Sequence, residues 1–92
     1  MYDPESGREF ELVEGTRIQD VEIFAGYGKR IKLREETAIG LAKQHGGNPE
    51  KWQHVKGIGV VDFDGEERAA EVHWFQEESV GRVNFMLKRW RE

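Results

Sequence analysis

The chain contains no cysteine, only two prolines and no long apolar run. The lack of cysteine excludes disulfides and thiolate-bound metals. No apolar segment approaches the roughly 20 residues that a membrane-spanning helix needs, and the acidic, polar N-terminus is unlike a signal peptide. We therefore expect a cytosolic protein that does not bind membranes.

Positive charge is also scarce, with 14 Lys and Arg against 18 Asp and Glu, which gives a net charge of −4. This balance argues against a surface that binds nucleic acid throughout, although it leaves room for a local basic site. The apolar fraction is only 37%, but three Trp and five Phe fall largely in periodic runs and argue against disorder. The 92 residues are enough for one domain with a modest core.

The clearest pattern is a predicted β-hairpin centred on Asp64-Gly65, which separates two runs rich in Val, Phe and Ala. This dipeptide favours a type I′ turn, because both central residues of that turn adopt positive φ. A two-residue hairpin then pairs Phe63 with Glu66 and Val55 with Trp74. Side chains alternate between the two faces of a strand, so this pairing places the apolar residues of both strands on one side.

A third predicted strand follows Glu77-Glu78-Ser79 and completes an antiparallel meander. Pairing Gln76 with Gly81 brings Val83 beside Trp74. A slip of one residue would send these side chains to the other face, so the pattern constrains the register. The predicted apolar face consists of Val55, Val61, Phe63, Ala70, Val72, Trp74, Val83, Phe85 and Leu87.

The rest of the chain predicts one main helix and one or two short strands. Glu35 and Glu36 suit the first turn of a helix, and Gly46-Gly47 is a typical stop. Asn48-Pro49 predicts a further helical turn with Asn as its cap. The fold class is therefore α+β, with the helix packed across the apolar face of the meander. The predicted single domain, 1–92, comprises a flexible start (1–8), N-terminal strands (9–25), the helix (34–45) and a three-stranded meander (53–90).

Six polar residues share the opposite face of the predicted meander, namely His54, Lys56, Glu71, His73, Arg82 and Asn84. In the predicted register Lys56 faces His73, and His73 faces Asn84, with opposed Cβ atoms about 5 Å apart. The exposed face of an antiparallel sheet is normally polar, so the same residues can equally form an inert surface.

These residue types meet the needs of metal-independent RNA cleavage, which uses a base, an acid and cations for the developing phosphate charge. Histidine suits the first two roles because its unperturbed pKa is about 6.5. The candidate roles are base (His73 or Glu71), acid (His54), phosphate contacts (Lys56 and Arg82) and a group that orients His73 (Asn84).

A metal site is a third interpretation of the same face. Glu71, His73 and His54 are residue types that bind zinc or iron. However, Lys56 opposite His73 would repel a cation, and no known ligand spacing is present. We therefore expect neither a metal nor another cofactor.

The segment from Lys29 to Arg34 carries four basic residues in six, separated by Ile31 and Leu33. One interpretation is a solvated loop that is held by its two apolar residues. The other is a phosphate contact.

Five short motifs span most of the chain: Phe24-Ala25-Gly26-x-Gly28, Leu33-Arg34-Glu35-Glu36, Trp52-x-His54-x-Lys56-Gly57, Glu71-x-His73-Trp74-Phe75-x-Glu77 and Lys88-x-Trp90. Together they resemble small phage and prophage proteins of Gram-positive bacteria, which occur alone or beside phage head proteins. The chain is also similar to phage head-associated domains of the barnase–EndoU–colicin–RelE nuclease-like group. That resemblance implies a catalytic sheet face and a location in the cytoplasm of the bacterial host or in the virion.

Two functions are consistent with these observations. We expect a phage-associated structural or protein-interaction domain, because a ribonuclease of this size usually gains from a basic surface and this chain is acidic. Its partner would be a phage or host protein. The alternative is a metal-independent ribonuclease that binds RNA on the polar face of the C-terminal sheet.

Overall fold

A computed structural model describes residues 1–91 and has the predicted α+β architecture. One helix, α1 (Glu35–His45), is followed by a 3-10 turn (Pro49–Lys51). The strands are β1 (Glu11–Leu12), β2 (Gln19–Gly26), β3 (Gln53–Phe63), β4 (Glu66–Glu77) and β5 (Gly81–Trp90). Among residues 1–91, no helix combines the length and the apolar composition needed to cross a membrane.

The strands form one curled antiparallel sheet in which β3 is central. One side of β3 pairs with β4, and β4 pairs in turn with β5. The other side of β3 is shared, because β1 pairs with its C-terminal end and β2 with its N-terminal part. Since β3 is 11 residues long, two short neighbours fit side by side along it.

The first predicted hairpin is confirmed in its turn and its register. Asp64 and Gly65 have φ of 51° and 89°, as a type I′ turn requires. Phe63 pairs with Glu66, and the pairing runs without a break to Val55 opposite Trp74 and beyond. The side chain of Asp62 strengthens the turn by accepting a hydrogen bond from the Gly65 amide at 2.8 Å.

The second hairpin differs from the predicted register by one residue. Gly81 pairs with Glu77 and not with Gln76, so Val83 lies opposite Phe75 on the polar face. A bulge then follows, at which Asn84 adopts a φ of 55°. A bulge inserts one extra residue and so reverses the alternation of the strand.

The bulge returns the later residues of β5 to the apolar side. Phe85 stacks on Trp74 with ring centroids 5.4 Å apart, and the buried Leu87 lies opposite Val72. The prediction of an apolar face is therefore confirmed for Phe85 and Leu87 and wrong for Val83. Asn tolerates the left-handed conformation of the bulge better than most residues, but the alternation of apolar residues does not reveal it.

The core lies inside the curl of the sheet. Its buried residues are Phe10, Val55, Val61, Ala70, Val72, Trp74 and Leu87. The two glycines of β3 leave room on this face, because a Cβ at Gly57 would lie 3.1 Å from the Trp74 ring and one at Gly59 would lie 2.9 Å from Leu12. Leu12 and Ile18 occupy that room and pack against the core.

The helix does not cover the apolar face as predicted. No residue of α1 belongs to the core cluster, and the helix contacts mainly the 3-10 turn. The sheet curls, and the N-terminal residues of the chain pack against it, so its apolar face is already buried. The helix therefore lies at one end of the sheet. The helix begins at Glu35, one residue after the predicted start, and ends at His45 as predicted. Gly46 follows with a φ of 91°, and the Asn48 side chain caps the 3-10 turn by accepting a hydrogen bond from the Glu50 amide.

The first eight residues, predicted to be flexible, are folded against β5. The Asp3 carboxylate is buried and accepts hydrogen bonds from the Ser6 hydroxyl and the Glu5 amide. The Tyr2 carbonyl accepts a hydrogen bond from the Leu87 amide at 2.9 Å. Such pairing covers part of the outer edge of β5, and the polar composition of the segment does not reveal it.

We expect Gly26→Ala to lower the free energy of unfolding by about 2 to 4 kcal/mol. Gly26 has a φ of 102°, and a Cβ there would collide with the Trp52 carbonyl oxygen and lie 2.9 Å from Gln53 Cα. The control is Gly40→Ala on the exposed side of α1, where a Cβ meets nothing within 4 Å. This change should stabilise the protein by about 1 kcal/mol. Urea unfolding checks both values, and equal stabilities would contradict the close approach of β2 to Trp52.

Candidate functional site

Four of the six predicted polar residues lie together on the outer face of the sheet. The confirmed register of β3 and β4 places Lys56 opposite His73, with His54 and Glu71 on the same face. A bulge in β2 between Ile23 and Ala25 adds the ring of Phe24 to this group. We refer to His54, Lys56, Glu71, His73 and Phe24 as the polar-face cluster.

Arg82 and Asn84 are not part of this cluster, and their predicted placement on this part of the polar face is wrong. The Arg82 guanidinium lies on the opposite face, 4.8 Å from the ring centroid of Trp74. The Asn84 amide oxygen is 3.1 Å from Nε2 of His45 at the end of α1. Both differences follow from the one-residue change of register and the bulge in β5.

His54 is enclosed by aromatic rings. Its ring centroid lies 4.1 Å from that of Phe24 and 4.5 Å from that of Phe75, and His73 is 5.4 Å away. Its Nε2 atom is buried and has no hydrogen-bond partner among residues 1–91. Burial lowers the pKa of His54 to about 4, and the nearby His73 and Lys88 add to the effect.

His54 is therefore neutral at neutral pH, and the predicted role as general acid does not fit its surroundings. A general acid must hold a proton at the working pH and present it to the substrate. The structure instead gives His54 a packing role between β2 and β4. The sequence did not reveal that Phe24 packs against His54, because alternation alone does not show which face a residue next to a bulge occupies.

His73 and Glu71 form the best-defined polar contact of the cluster. Nε2 of His73 lies 2.8 Å from Oε2 of Glu71, and both side chains are largely buried. The hydrogen bond from His73 lowers the pKa of Glu71, and the charges of Arg89 and Lys56 contribute. Glu71 is thus a carboxylate that accepts a hydrogen bond from Nε2–H of His73, which leaves Nδ1 of the neutral ring as an acceptor.

The cations around this pair differ from those predicted. Nζ of Lys56 lies 3.2 Å from a carboxylate oxygen of Glu22 on β2, so its charge is already paired. Arg89, which pairs with Glu71 across β4 and β5, supplies a cation here instead of Arg82, with its Nε 3.8 Å from a carboxylate oxygen of Glu71. Sequence reasoning missed Arg89 because two register shifts precede its pairing with Glu71.

The three-ligand metal site considered above is not formed. In the part of the chain that the structure describes, no group of three His, Cys, Asp or Glu side chains is placed to hold a metal ion. His54 Nε2 is buried between rings, and His73 Nε2 is engaged by Glu71.

A second surface, which sequence reasoning did not identify, is a groove between α1, the 3-10 turn and the end of β2. Its volume is about 830 Å³. Tyr27 and Ile39 line it and are 51% and 40% exposed, whereas Trp52 is fully buried beneath them. The remaining lining residues are Gly26, Lys32, Leu33, Glu35, Ala38, Asn48, Pro49 and Glu50.

The groove is held by local hydrogen bonds. The Trp52 indole donates to the Gly46 carbonyl at 3.3 Å, which ties the floor of the groove to the end of α1. The Tyr27 amide donates to the Trp52 carbonyl at 3.2 Å. Ile39 offered a signal in the sequence, because Ala38, Leu41, Ala42 and His45 recur at helical spacing and Ile39 lies outside that stripe.

The basic segment 29–34 borders this groove. Leu33 is partly buried and lines the groove, as expected of an apolar anchor. Ile31 is 68% exposed, so its predicted role as a second anchor is wrong. We refer to residues 29–34 as the basic loop.

Comparison of the chain with known protein families, with curated proteins and with solved structures found no match.

We expect the free energy of unfolding to fall as the pH is lowered from 6.5 to about 4. The unfolded chain binds a proton at His54 in this range, whereas the folded environment excludes it until the pH reaches about 4. The loss should be about 1 to 2 kcal/mol once solvent screening is allowed for. Urea unfolding at several pH values measures it.

The control for this prediction is His54→Phe, which keeps a ring between Phe24 and Phe75 but removes the titration. Its stability should depend less on pH between 6.5 and 4 than that of the wild type. Glu71 affects stability in a lower pH range. Because its pKa is lowered in the folded state, its contribution to stability is lost only as the pH falls through that lowered value. An unchanged slope in His54→Phe would show that His54 is not the responsible group.

Proposed function

We propose that this chain is a small protein-interaction domain that binds a partner in the groove beside α1. The observation that carries the proposal is the exposure of Tyr27 and Ile39 in a groove bordered by the basic loop. Concave sites with apolar walls and a few polar groups are typical binding sites, and exposed apolar patches mark interaction surfaces. The resemblance to phage and prophage proteins supports a phage or host protein as partner.

The construction of the groove supports binding without large rearrangement. Its floor is the buried Trp52, and the adjoining turn is capped by Asn48 through a 2.9 Å hydrogen bond. The helix ends at Gly46, whose amide donates to the Ala42 carbonyl at 2.8 Å. A preformed site loses less conformational entropy on binding, which favours affinity.

The polar-face cluster supports catalysis less well than the groove supports binding. Its presumed acid, His54, is neutral and enclosed, and Lys56 is paired with Glu22. Arg82 and Asn84 lie elsewhere. The acidic balance of the chain also disfavours binding of RNA over a broad surface.

We expect Ile39→Arg to weaken partner binding at least tenfold, because it places a charge on the apolar wall of the groove. Peptides selected from a displayed random library on the folded wild type provide the ligand, and fluorescence anisotropy measures the Kd. The matched control is Val21→Arg, which changes an apolar residue of similar exposure on β2. It should alter the Kd less than twofold.

Both variants should unfold cooperatively, since each replaced side chain is already exposed. Selected peptides that bind wild type and Ile39→Arg equally would contradict a role for the groove. Failure to select any peptide on the folded protein would count against an interaction domain.

A second candidate function is metal-independent RNA cleavage, favoured by the 2.8 Å contact between His73 and Glu71. A carboxylate that holds one ring nitrogen of a histidine leaves the other free to accept a proton, which is how a general base is oriented. His73 would be the base and Glu71 its orienting group. Arg89 and Lys56 would contact the phosphate, and the acid would have to come from a group other than His54.

Under this second candidate, the protein should cleave labelled transfer RNA or single-stranded RNA in the presence of EDTA. His73→Ala should reduce the rate by about 100-fold or more, the usual contribution of a general base. Arg82→Ala is the control, because its side chain lies on the opposite face of the sheet. No cleavage by folded wild-type protein, or equal loss in both variants, would rule out this site.

A further inference from the structure

We infer that the partner segment in the groove is an acidic peptide with apolar anchor residues. This inference rests on the proposed interaction function and adds the chemistry of the ligand. The apolar anchors would contact the helix side of the groove, and the carboxylates would face the basic loop.

The basic loop is a local exception to the charge of the chain. It holds four of the 14 cations and no acid, although acids outnumber cations overall by 18 to 14. Its cations, Lys29, Arg30, Lys32 and Arg34, are all exposed. A positive region on an otherwise acidic surface attracts negative groups and repels positive ones.

Among residues 1–91, the four loop cations have no carboxylate partner, since no carboxylate lies within 4.0 Å of any of them. Some cations outside the loop are paired, as in the 2.9 Å contact of Arg8 with Asp64 and the 3.1 Å contact of Lys51 with Glu78. The loop therefore keeps its charge available to a ligand.

The backbone holds these charges beside the groove. The Gly26 amide donates to the Ile31 carbonyl at 2.7 Å, and the Lys29 amide donates to the Gly26 carbonyl at 3.0 Å. These bonds close the loop at the end of β2. Lys32 and Leu33 follow directly and line the groove, which places a cation next to an apolar contact.

The walls of the groove favour a peptide over a nucleic acid. Leu33, Ala38 and Ile39 offer contacts to apolar side chains, which a phosphate backbone lacks. Glu35 and Glu50 also line the groove and would repel a continuous run of phosphates. A peptide can place its carboxylates toward the basic loop and keep them away from these two residues.

The test uses three synthetic peptide pools that share the same randomised Leu, Ile, Phe and Trp positions. Their spacer residues are all Glu, all Gln or all Lys. Each pool is titrated against wild type, against Lys29→Glu/Lys32→Glu, and against Arg17→Glu/Lys88→Glu. The last variant is matched, because it makes the same change of net charge at exposed positions outside the groove lining. A labelled oligouridylate is titrated in parallel.

We expect the Glu pool to bind wild type at least tenfold more tightly than the Lys pool. The basic-loop reversal should abolish or invert this preference, and the matched reversal should retain it. Raising NaCl from 50 to 500 mM should weaken binding of the Glu pool, since exposed charges are screened at high ionic strength. Amide chemical shifts of Tyr27 and Ile39 should move on titration.

Four results would overturn the inference. Equal binding of the Glu and Gln pools, or the same loss in both reversal variants, would remove the acidic preference. If the binding of these peptide pools still depended on Ile39, the proposed interaction function would stand without the acidic preference. Binding of the oligouridylate through Lys29 and Lys32, without binding of the Glu pool, would assign the loop to nucleic acid. No binding of any pool to wild type would overturn both the acidic ligand and the groove.

Discussion

The close packing across the two glycines of β3 is the contact on which the rest of the structure depends. Leu12 and Ile18 approach the strand where it has no side chains, and the sheet curls around them and Trp74. This arrangement buries the apolar face of the sheet without a covering helix. A chain of 92 residues can bury only a modest core. Because the sheet and the N-terminal residues form that core, the helix is not needed to cover it.

The position of the helix then determines where the groove forms. Because α1 sits at one end of the sheet, its apolar residues face the 3-10 turn and Trp52. Leu41 is buried there, but Ile39 is not. The exposed remainder, together with Tyr27, forms the groove. If the helix had covered the sheet, as layer packing predicts, no such groove would have formed.

The two histidines of the polar face lie in different surroundings. On the polar face, His54 is packed between rings, whereas His73 is held by Glu71 in a hydrogen bond. Environment separates two histidines that the sequence pattern treats alike, because burial disfavours the charged form of one and a carboxylate orients the other. Among residues 1–91, the cations of the basic loop have no carboxylate partner and stay available at the surface.

The sequence by itself determined the local features of this protein. Asp64-Gly65 specified a tight turn, and the two-residue alternation specified the register of the β3–β4 hairpin and the four residues that share the polar face. The C-terminal end of the helix followed from the Gly46 stop in the same way. These signals were readable because turn conformation and helix ends depend on a few neighbouring residues.

Only the tertiary structure decided the placement of Arg82, Asn84, Phe24 and the helix. The register of the second hairpin moves Arg82, and bulges move Asn84 and Phe24. These bulges break the alternation without a strong sequence signal, since Asn84 and Ala25 are compatible with a regular strand. The helix position depends on how far the sheet curls, which in turn depends on packing between residues distant in sequence. Local patterns carry no information about such long-range contacts. The groove and the burial of His54 between aromatic rings both result from these contacts.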